Sequence, residues 1–129
     1  MTITELYDKQ FKFAALFASL INWINLQDGY RCTIGEVERP QVLQDIYVKE
    51  KKTEVKVSDH SYNIAGDIRI FKLIGGKWVY LEKTEDYKFA GEHWESMDKD
   101  CVWGGRFGDN PATEKIEGWD GNHFQVRRV

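Results

Sequence analysis

Two histidines and one aspartate of this chain have the chemistry of a hydrolytic zinc site. His60 and Asp67 lie seven residues apart, and His123 follows much later in the sequence. Zinc prefers imidazole nitrogen and carboxylate oxygen, and three such protein ligands leave a fourth position for water, as a catalytic zinc ion requires. Taken singly, His60 could be a surface loop residue and Asp67 a carboxylate at a strand edge. It is the combination of the three that predicts a metal site.

Asp120 and Arg39 are candidates for the catalytic groups that such a site needs besides its metal. Asp120 precedes His123 by three residues. Zinc lowers the pKa of a bound water towards ~7, and a nearby carboxylate can take its proton and deliver it to a leaving amine. The guanidinium of Arg39 is suited to stabilise a developing oxyanion. Each residue also has a plainer interpretation, Asp120 as part of an Asp-Gly turn and Arg39 as a surface arginine.

The alternation of side chains along two predicted strands offers a way to bring Asp67 and His123 together. Successive side chains of a strand point to opposite faces, so Asp67 shares a face with Arg69, and His123 shares a face with Gln125. The apolar residues between them take the opposite faces: Ile68, Ile70, Phe124 and Val126. If the two strands are neighbours, Asp67 and His123 project from the same side, and the loop that carries His60 can bend back to them.

The order of the predicted elements indicates an α+β fold. Apolar residues recur at three- and four-residue steps over 4–27, which predicts a long helix, and residues 1–29 are expected to pack on the core. Gly75-Gly76 predicts a hairpin turn, and Thr84 is the predicted N-cap of a helix that runs to 97. The other predicted elements are strands over 30–37, 64–73, 78–81 and 123–129, a helix that begins near Pro40, and a charged loop over 49–57. We expect a single domain over 1–129 with a largely antiparallel sheet, helices on one face and the zinc site on the other.

Composition and charge exclude several other classes of protein. The chain has 18 basic and 21 acidic side chains, so no strong positive field predicts binding to nucleic acid. Cys32 and Cys101 are expected to be unpaired, partly buried thiols rather than a disulfide framework. The apolar stretch over 11–26 is interrupted by Lys12 and is too short to span a bilayer, and no signal peptide is recognised. We expect a monomer that stays where it is made until something releases it.

The remaining histidine and the familiar catalytic motifs point to no other chemistry. His93 lies on a predicted helix, but no H-E-x-x-H motif is present, so His93 is expected to be structural or on the surface. No serine has the context of a nucleophile elbow, and no phosphate-binding loop of the Walker type occurs. Trp103 and Trp119 flank glycine turns and could line a cleft.

Two motifs of the chain resemble those of the zinc peptidases that include D-alanyl-D-alanine carboxypeptidases and phage L-alanyl-D-glutamate endopeptidases. The motif S-x-H-x-x-G-x-A-x-D is matched by Ser58, His60, Ala65 and Asp67, and the later acidic-x-x-H motif by Asp120 and His123. Further similarity to small phage and prophage members is found in 35–39, 84–87, 91–96 and 103–108, so the resemblance extends over roughly residues 30 to 126. Asn63 stands where the first motif has glycine, and asparagine tolerates left-handed backbone, so the loop is expected to be kept.

Two further departures from the family pattern lie beside the predicted site. Pro40 replaces the usual serine or threonine after Arg39, which could alter how the arginine is presented. Residues 110–119 look like an insertion just before Asp120 and could reshape the substrate cleft. Neither departure removes a predicted ligand.

The resemblance implies both the roles of the site residues and the substrate. It implies zinc held by His60, Asp67 and His123, with Asp120 as the catalytic base and Arg39 steadying the substrate carbonyl. It also implies a peptidoglycan stem peptide as substrate and a role in host lysis or wall penetration, as for a phage endolysin.

Two alternatives to that interpretation remain. One is a non-catalytic wall-binding or virion structural module that keeps the fold. The other is a cytoplasmic dipeptidase. The presence of Asp120 beside all three candidate ligands favours an enzyme over a module, because a pure binder has no need of a base.

Overall fold

The computed structural model describes residues 2–37, 62–106 and 120–127. Arg39, His60, the helix predicted near Pro40 and the segments 49–57 and 110–119 lie outside the described residues, and the predicted single domain over 1–129 stays a prediction. The described elements are α1 (Ile3–Leu26), β1 (Tyr30–Ile34), β2 (Ala65–Ile74), β3 (Lys77–Tyr80), a 3-10 helix (Thr84–Tyr87), α2 (Lys88–Met97), β4 (Cys101–Trp103), a second 3-10 helix (Gly104–Arg106) and β5 (His123–Val126).

The helix α1 begins at a capping box and carries the apolar stripe that the sequence predicts. The Glu5 backbone N–H donates to the Thr2 hydroxyl at 3.1 Å, and the Thr2 N–H donates to the Glu5 carboxylate at 2.9 Å. Two backbone donors that a helix leaves without partners are thereby satisfied. The buried residues of α1 recur at three- and four-residue steps: Phe13, Phe17, Leu20 and Ile24. The helix predicted over 4–27 is confirmed to within one residue at each end.

The strand β2 is the central strand of an antiparallel sheet in the described part of the chain. Its middle residues pair with β1, its first residues with β5 and its last residues with β3, while β4 pairs with β5. Gly75 and Gly76 connect β2 to β3 with φ angles of 58° and 79°. Positive φ at both central residues gives a two-residue turn the twist of its flanking strands, so the predicted hairpin is confirmed. The short β4 has no counterpart among the predicted elements.

Both described helices pack on the same face of the sheet. Gly66 and Phe124 are opposite each other in β2 and β5 and therefore share a face. Phe17 of α1 lies so close to Gly66 that a Cβ there would be 2.6 Å from its Cζ atom. Trp94 of α2 contacts Phe124 edge to face, with ring centroids 6.0 Å apart and planes at 81°. The α+β fold with helices on one face of an antiparallel sheet is thus confirmed for the described residues.

The start of the helix predicted over 84–97 is wrong. Thr84 opens a 3-10 helix instead, Lys83 is the residue before it, and no side chain caps it. The tighter turn inserts Tyr87 into the core, where its hydroxyl accepts from the Ile70 N–H at 3.0 Å and donates to the Leu81 carbonyl at 2.8 Å. The α-helix proper begins only at Lys88. Burying Tyr87 with both of its hydrogen bonds made stabilises the fold more than one side-chain cap at Thr84 would.

The described residues contain two free cysteines and no membrane-spanning helix. Both cysteines are free thiols, Cys32 partly buried and Cys101 buried, as predicted. Burial raises the pKa of the Cys101 thiol to about 12, so this thiol is chemically inert at neutral pH. Over the three described ranges, no helix combines the length and the apolar character that crossing a bilayer requires.

Candidate active site

Asp67 and His123 lie directly opposite each other where β2 pairs with β5. Opposite residues of antiparallel strands share a face, so both side chains lie on the face away from the helices. On its other edge, β2 is hydrogen-bonded at Asp67 to the residues that follow β1. There the Gly35 N–H donates to the Asp67 carbonyl, and the Asp67 N–H donates to the Glu36 carbonyl, both at 2.7 Å. Backbone pairing on both edges therefore positions the Asp67 side chain.

The imidazole of His123 is buried between two carboxylates. Its Nδ1 atom lies 3.5 Å from Asp67 Oδ1 and 3.8 Å from Asp120 Oδ2, and the residue is only 6% exposed. The distance to Asp67 exceeds the 2.7–3.2 Å of an ordinary N–H···O hydrogen bond. Two ligands of one tetrahedral zinc ion, at bond lengths of about 2.0–2.2 Å, lie roughly 3.4 Å apart. The separation of the two atoms, their burial and their chemistry therefore fit a shared metal ion.

A tight turn brings Asp120 back towards His123. The His123 N–H donates to the Asp120 carbonyl at 3.1 Å, which closes the turn over 120–123. Trp103 holds the middle of this turn, because its Nε1–H donates to the Gly121 carbonyl at 2.6 Å. Gly104 packs directly against the turn, where a Cβ would lie 2.0 Å from the Asp120 carbonyl oxygen and 2.8 Å from the His123 Cβ. The turn is therefore fixed by β4 and the residue after it.

Gln125 determines which nitrogen of His123 faces the carboxylates. Its Oε1 atom lies 2.5 Å from His123 Nε2. A carbonyl oxygen can only accept, so the Nε2 atom carries the proton and a neutral imidazole presents the lone pair of Nδ1 towards Asp67 and Asp120. The alternation of side chains places Gln125 on the face of His123, but residue type alone assigned it no function.

The charges around His123 favour a positive charge at its ring. Burial by itself lowers the pKa of the imidazole. The carboxylates of Asp67 and Asp120 and the hydrogen bond to Gln125 act in the opposite direction and prevail, so the pKa of His123 is raised. The pair of carboxylates is thus an environment that attracts a cation.

The structure brings together three of the five predicted site residues, namely Asp67, Asp120 and His123. Arg39 and His60, the third predicted ligand, lie outside the described residues. Within 2–37, 62–106 and 120–127, no three His, Cys, Asp or Glu side chains form a complete metal site. Asn63 has a φ of 58°, so the left-handed backbone expected at this position of the motif is confirmed.

Two further residues singled out from the sequence, His93 and Trp103, serve the core rather than the site, and Trp119 lies outside the described residues. His93 stacks on Trp23 with ring centroids 3.9 Å apart and planes at 4°, in agreement with a structural residue. The prediction that Trp103 lines a cleft is wrong, because its side chain is fully buried beneath Gly91 and Gly105. Glycine at both positions leaves room for the indole, which reaches the site through its bond to Gly121.

A solved structure of known activity has a similar fold. The L-Ala D-Glu endopeptidase ChiX of Serratia marcescens superposes with a TM-score of 0.63, and the match covers 90% of this chain and 78% of that chain. This chain therefore shares the fold of that endopeptidase. Sequence identity is 17%, so the similarity concerns the fold alone. No family model and no curated protein matches the chain.

Adding a methyl group at Gly104 is expected to displace the turn that carries Asp120 and His123. The Gly104→Ala methyl would overlap the Asp120 carbonyl, so the turn over 120–123 must shift. We expect a loss of about 1–3 kcal/mol in the free energy of unfolding, measured by urea titration, together with altered NMR resonances of the His123 ring.

Gly29→Ala is the matched control, because a Cβ at Gly29 meets no atom within 4 Å and only the positive φ of 78° opposes it. This control should lower stability without changing the His123 resonances. Unchanged stability and resonances in Gly104→Ala would contradict the packing role of Gly104.

Proposed function

We propose that this chain is a zinc-dependent peptidase that hydrolyses an amide bond in the stem peptides of bacterial peptidoglycan. The observation that carries the proposal is the buried pair of Asp67 and His123, with the Asp120 carboxylate 3.8 Å from the same imidazole nitrogen. The similarity in fold to an L-Ala D-Glu endopeptidase supports the choice of substrate class. A fold alone permits many functions, so the site residues carry the chemistry.

His60, Asp67 and His123 are the residues proposed to hold the metal. When bound, zinc would supply Lewis acidity to the scissile carbonyl and lower the pKa of a water molecule. The combination of neutral imidazole and carboxylate ligands suits zinc better than it suits calcium or magnesium, which prefer oxygen ligands alone.

Asp120 is proposed to move the proton during hydrolysis. Its carboxylate is partly exposed, unlike the imidazole of His123, and so it can meet both the attacking water and the leaving amine. Oδ2 would take the proton from the nucleophile and then deliver it to the amine nitrogen as the C–N bond breaks. Arg39 is proposed to donate hydrogen bonds to the carbonyl oxygen as negative charge develops there.

The biological role we propose is that of a phage endolysin or a wall-penetration peptidase acting as a monomer. The motifs that resemble small phage and prophage enzymes support this choice. The chain would then reach its substrate only after release from the host cytoplasm.

A defined substrate tests the proposed activity. Purified protein with zinc is incubated with muropeptides of known stem sequence, and the products are identified by mass spectrometry. A new amino terminus on D-Glu indicates an endopeptidase, and release of D-Ala indicates a carboxypeptidase. Binding to peptidoglycan without any new amino terminus would overturn the proposal in favour of a non-catalytic wall-binding module.

Removing the hydrogen bond from Gln125 is expected to weaken zinc binding. In Gln125→Leu the Nε2–H of His123 loses its acceptor, so the ring is no longer held with Nδ1 towards the carboxylates. Loss of such an outer hydrogen bond typically costs 10–100-fold in metal affinity, which a competition titration with a chromophoric chelator measures.

Gln125→Glu is the control, because it keeps an acceptor oxygen at the same place and should retain zinc. Equal zinc affinity in the leucine variant and the wild type would show that Gln125 does not orient the ligand.

A further inference from the structure

The strand β2 changes its partner just beyond the candidate active site. On one edge it pairs with β5 up to Asp67 and with β3 from Phe71 onwards. Between these points the Ile70 N–H donates to the Tyr87 hydroxyl, at 3.0 Å, instead of to a neighbouring strand. The sheet therefore forks on this edge, and the fork begins one residue after Asp67.

A cavity of about 300 Å³ lies in this fork. The described residues that line it come from both branches, namely Tyr80, Glu82, Thr84 and Tyr87 on the side of β3, and Gly121 and Asn122 on the side of β5. Gly121 and Asn122 are also the middle of the turn that joins Asp120 to His123. Ligand pockets measure about 300–1,000 Å³, so this cavity is suited to one side chain of a ligand, held directly beside the active-site turn.

The wall of the cavity is packed against that turn. A Cβ at Gly121 would lie 2.7 Å from the Thr84 Cα atom and 3.1 Å from its Oγ1 atom, so the two backbones are in close contact. The Gly121 carbonyl also accepts the hydrogen bond from Trp103. The cavity therefore has a fixed position relative to Asp120 and His123, as a subsite that positions a substrate requires.

Three polar side chains of the cavity have no hydrogen-bond or ion-pair partner within the described part of the chain: Glu82, Thr84 and Asn122. Each of them can accept a hydrogen bond, and the Glu82 carboxylate can only accept. A protonated primary amine donates three hydrogen bonds and accepts none. Glu82 is also the one charged residue among the described residues of the lining. Both the number of acceptors and the charge thus match an ammonium group.

The surroundings of the cavity are acidic as well. Asp120 adjoins the turn that forms one wall, and Glu85 follows Thr84 directly. Lys83 and Arg69 are exposed nearby, but neither is among the residues that line the cavity. An anionic group would be repelled from this cavity, whereas a cationic group would be attracted.

We propose that this cavity is a substrate subsite that binds the ammonium group of a diamino acid residue in the stem peptide, with Glu82 as the residue that determines this specificity. The choice of this peptide rests on the proposed function. An ammonium group bound to Glu82, Thr84 and Asn122 makes charge-assisted hydrogen bonds, which are stronger than those between neutral groups. They would fix one residue of the peptide beside Asp120 and His123, while Glu82 itself takes no part in breaking the bond.

Two stem peptides that differ only in the side-chain amine test the proposal. The amine is free in one peptide and acetylated in the other, and the N-terminus is acetylated in both. The zinc-loaded wild type should have a KM about fivefold lower for the free amine at equal kcat, as for an ion pair that is partly open to water. Glu82→Gln should abolish this difference through KM, and added salt should reduce it in the wild type.

A third peptide separates the two possible sources of the ammonium group. It has a free N-terminus and an acetylated side chain, and it should have the same KM as the fully acetylated peptide. A lower KM for this third peptide, lost in Glu82→Gln, would place the recognised amine at the N-terminus and overturn the proposal of a side-chain subsite.

Glu85→Gln is the matched control. Glu85 is exposed, lies three residues after Glu82 and is not among the residues that line the cavity. The variant removes the same charge, so it separates direct contact with the ligand from the general field of an acidic surface. It should keep the preference of the wild type for the free amine. Equal KM values for both peptides in the wild type, or an equal loss of preference in both variants, would overturn the proposal.

Binding is also measured without turnover, so that the two proposals fail separately. Asp120→Asn is titrated with each peptide, and the amide resonances of Gly121 and Asn122 are followed by NMR. If no peptide is cleaved by the wild type but the free amine shifts these resonances, and adding Glu82→Gln abolishes the shifts, the proposed activity is wrong and the ammonium site stands. If peptides are cleaved without preference for the free amine, the activity stands and the cavity is not an ammonium site. Absence of both cleavage and shifts would overturn both proposals.

Discussion

Replacing Asp120 with asparagine is expected to abolish peptide hydrolysis while the protein keeps its fold and its zinc. Asparagine has the same shape but cannot accept a proton at neutral pH. Positioned general acid–base groups contribute about 10²–10⁴-fold to rate, so kcat measured by mass spectrometry on a defined muropeptide should fall by that factor. The 3.8 Å between Asp120 Oδ2 and His123 Nδ1 places the carboxylate beside the site, and zinc content should stay unchanged.

The chain provides a matched control for this substitution in Asp28. Asp28 also precedes a glycine in a turn, is exposed, and lies at the end of α1. Asp28→Asn should have wild-type activity, which would show that the loss in Asp120→Asn does not come from an altered Asp-Gly turn. Normal turnover by Asp120→Asn would remove this residue from the mechanism. Loss of zinc from that variant would make Asp120 a ligand instead of the base.

Replacing His123 with alanine is expected to remove zinc and activity together. His123 is the most deeply buried of the three site residues in the described part of the chain, and its Nδ1 atom faces both carboxylates. Zinc that binds only the folded protein raises stability by about 2.7 kcal/mol at a concentration one hundred times its Kd. The wild type should therefore show a higher Tm with zinc, and His123→Ala should show no zinc-dependent change. A strong chelator should silence the wild-type enzyme in the same way.

His93→Gln is the matched control for His123→Ala, because His93 is the other histidine of the described residues. His93 stacks on Trp23 in the helical layer, away from Asp67, so this variant should keep the zinc-dependent rise in Tm even if its stability is lower. A zinc-dependent rise in His123→Ala equal to that of the wild type would show that the metal site lies elsewhere.

Local sequence patterns predict the elements that they encode directly. The three- and four-residue spacing of apolar residues predicts α1, since this spacing places them on one side of a helix. The Gly75-Gly76 pair predicts the hairpin, since glycine alone adopts the required φ angles without strain. Asn63 is correctly expected to be left-handed for the same kind of reason. Thr84 shows where local patterns fail, because the burial of Tyr87 overrides the preferred cap.

What the sequence determined by itself is the chemistry and the sheet face of the candidate site. Alternation along each strand assigns Asp67 and His123 to polar faces, and their types suit a metal. Only the tertiary structure decided that β2 and β5 are neighbours in the register that pairs residues 56 positions apart. It also decided the contacts of Gln125 and Gly104 with the His123 turn. Backbone preferences act over a few residues, whereas strand register depends on how the whole apolar face packs against the helices.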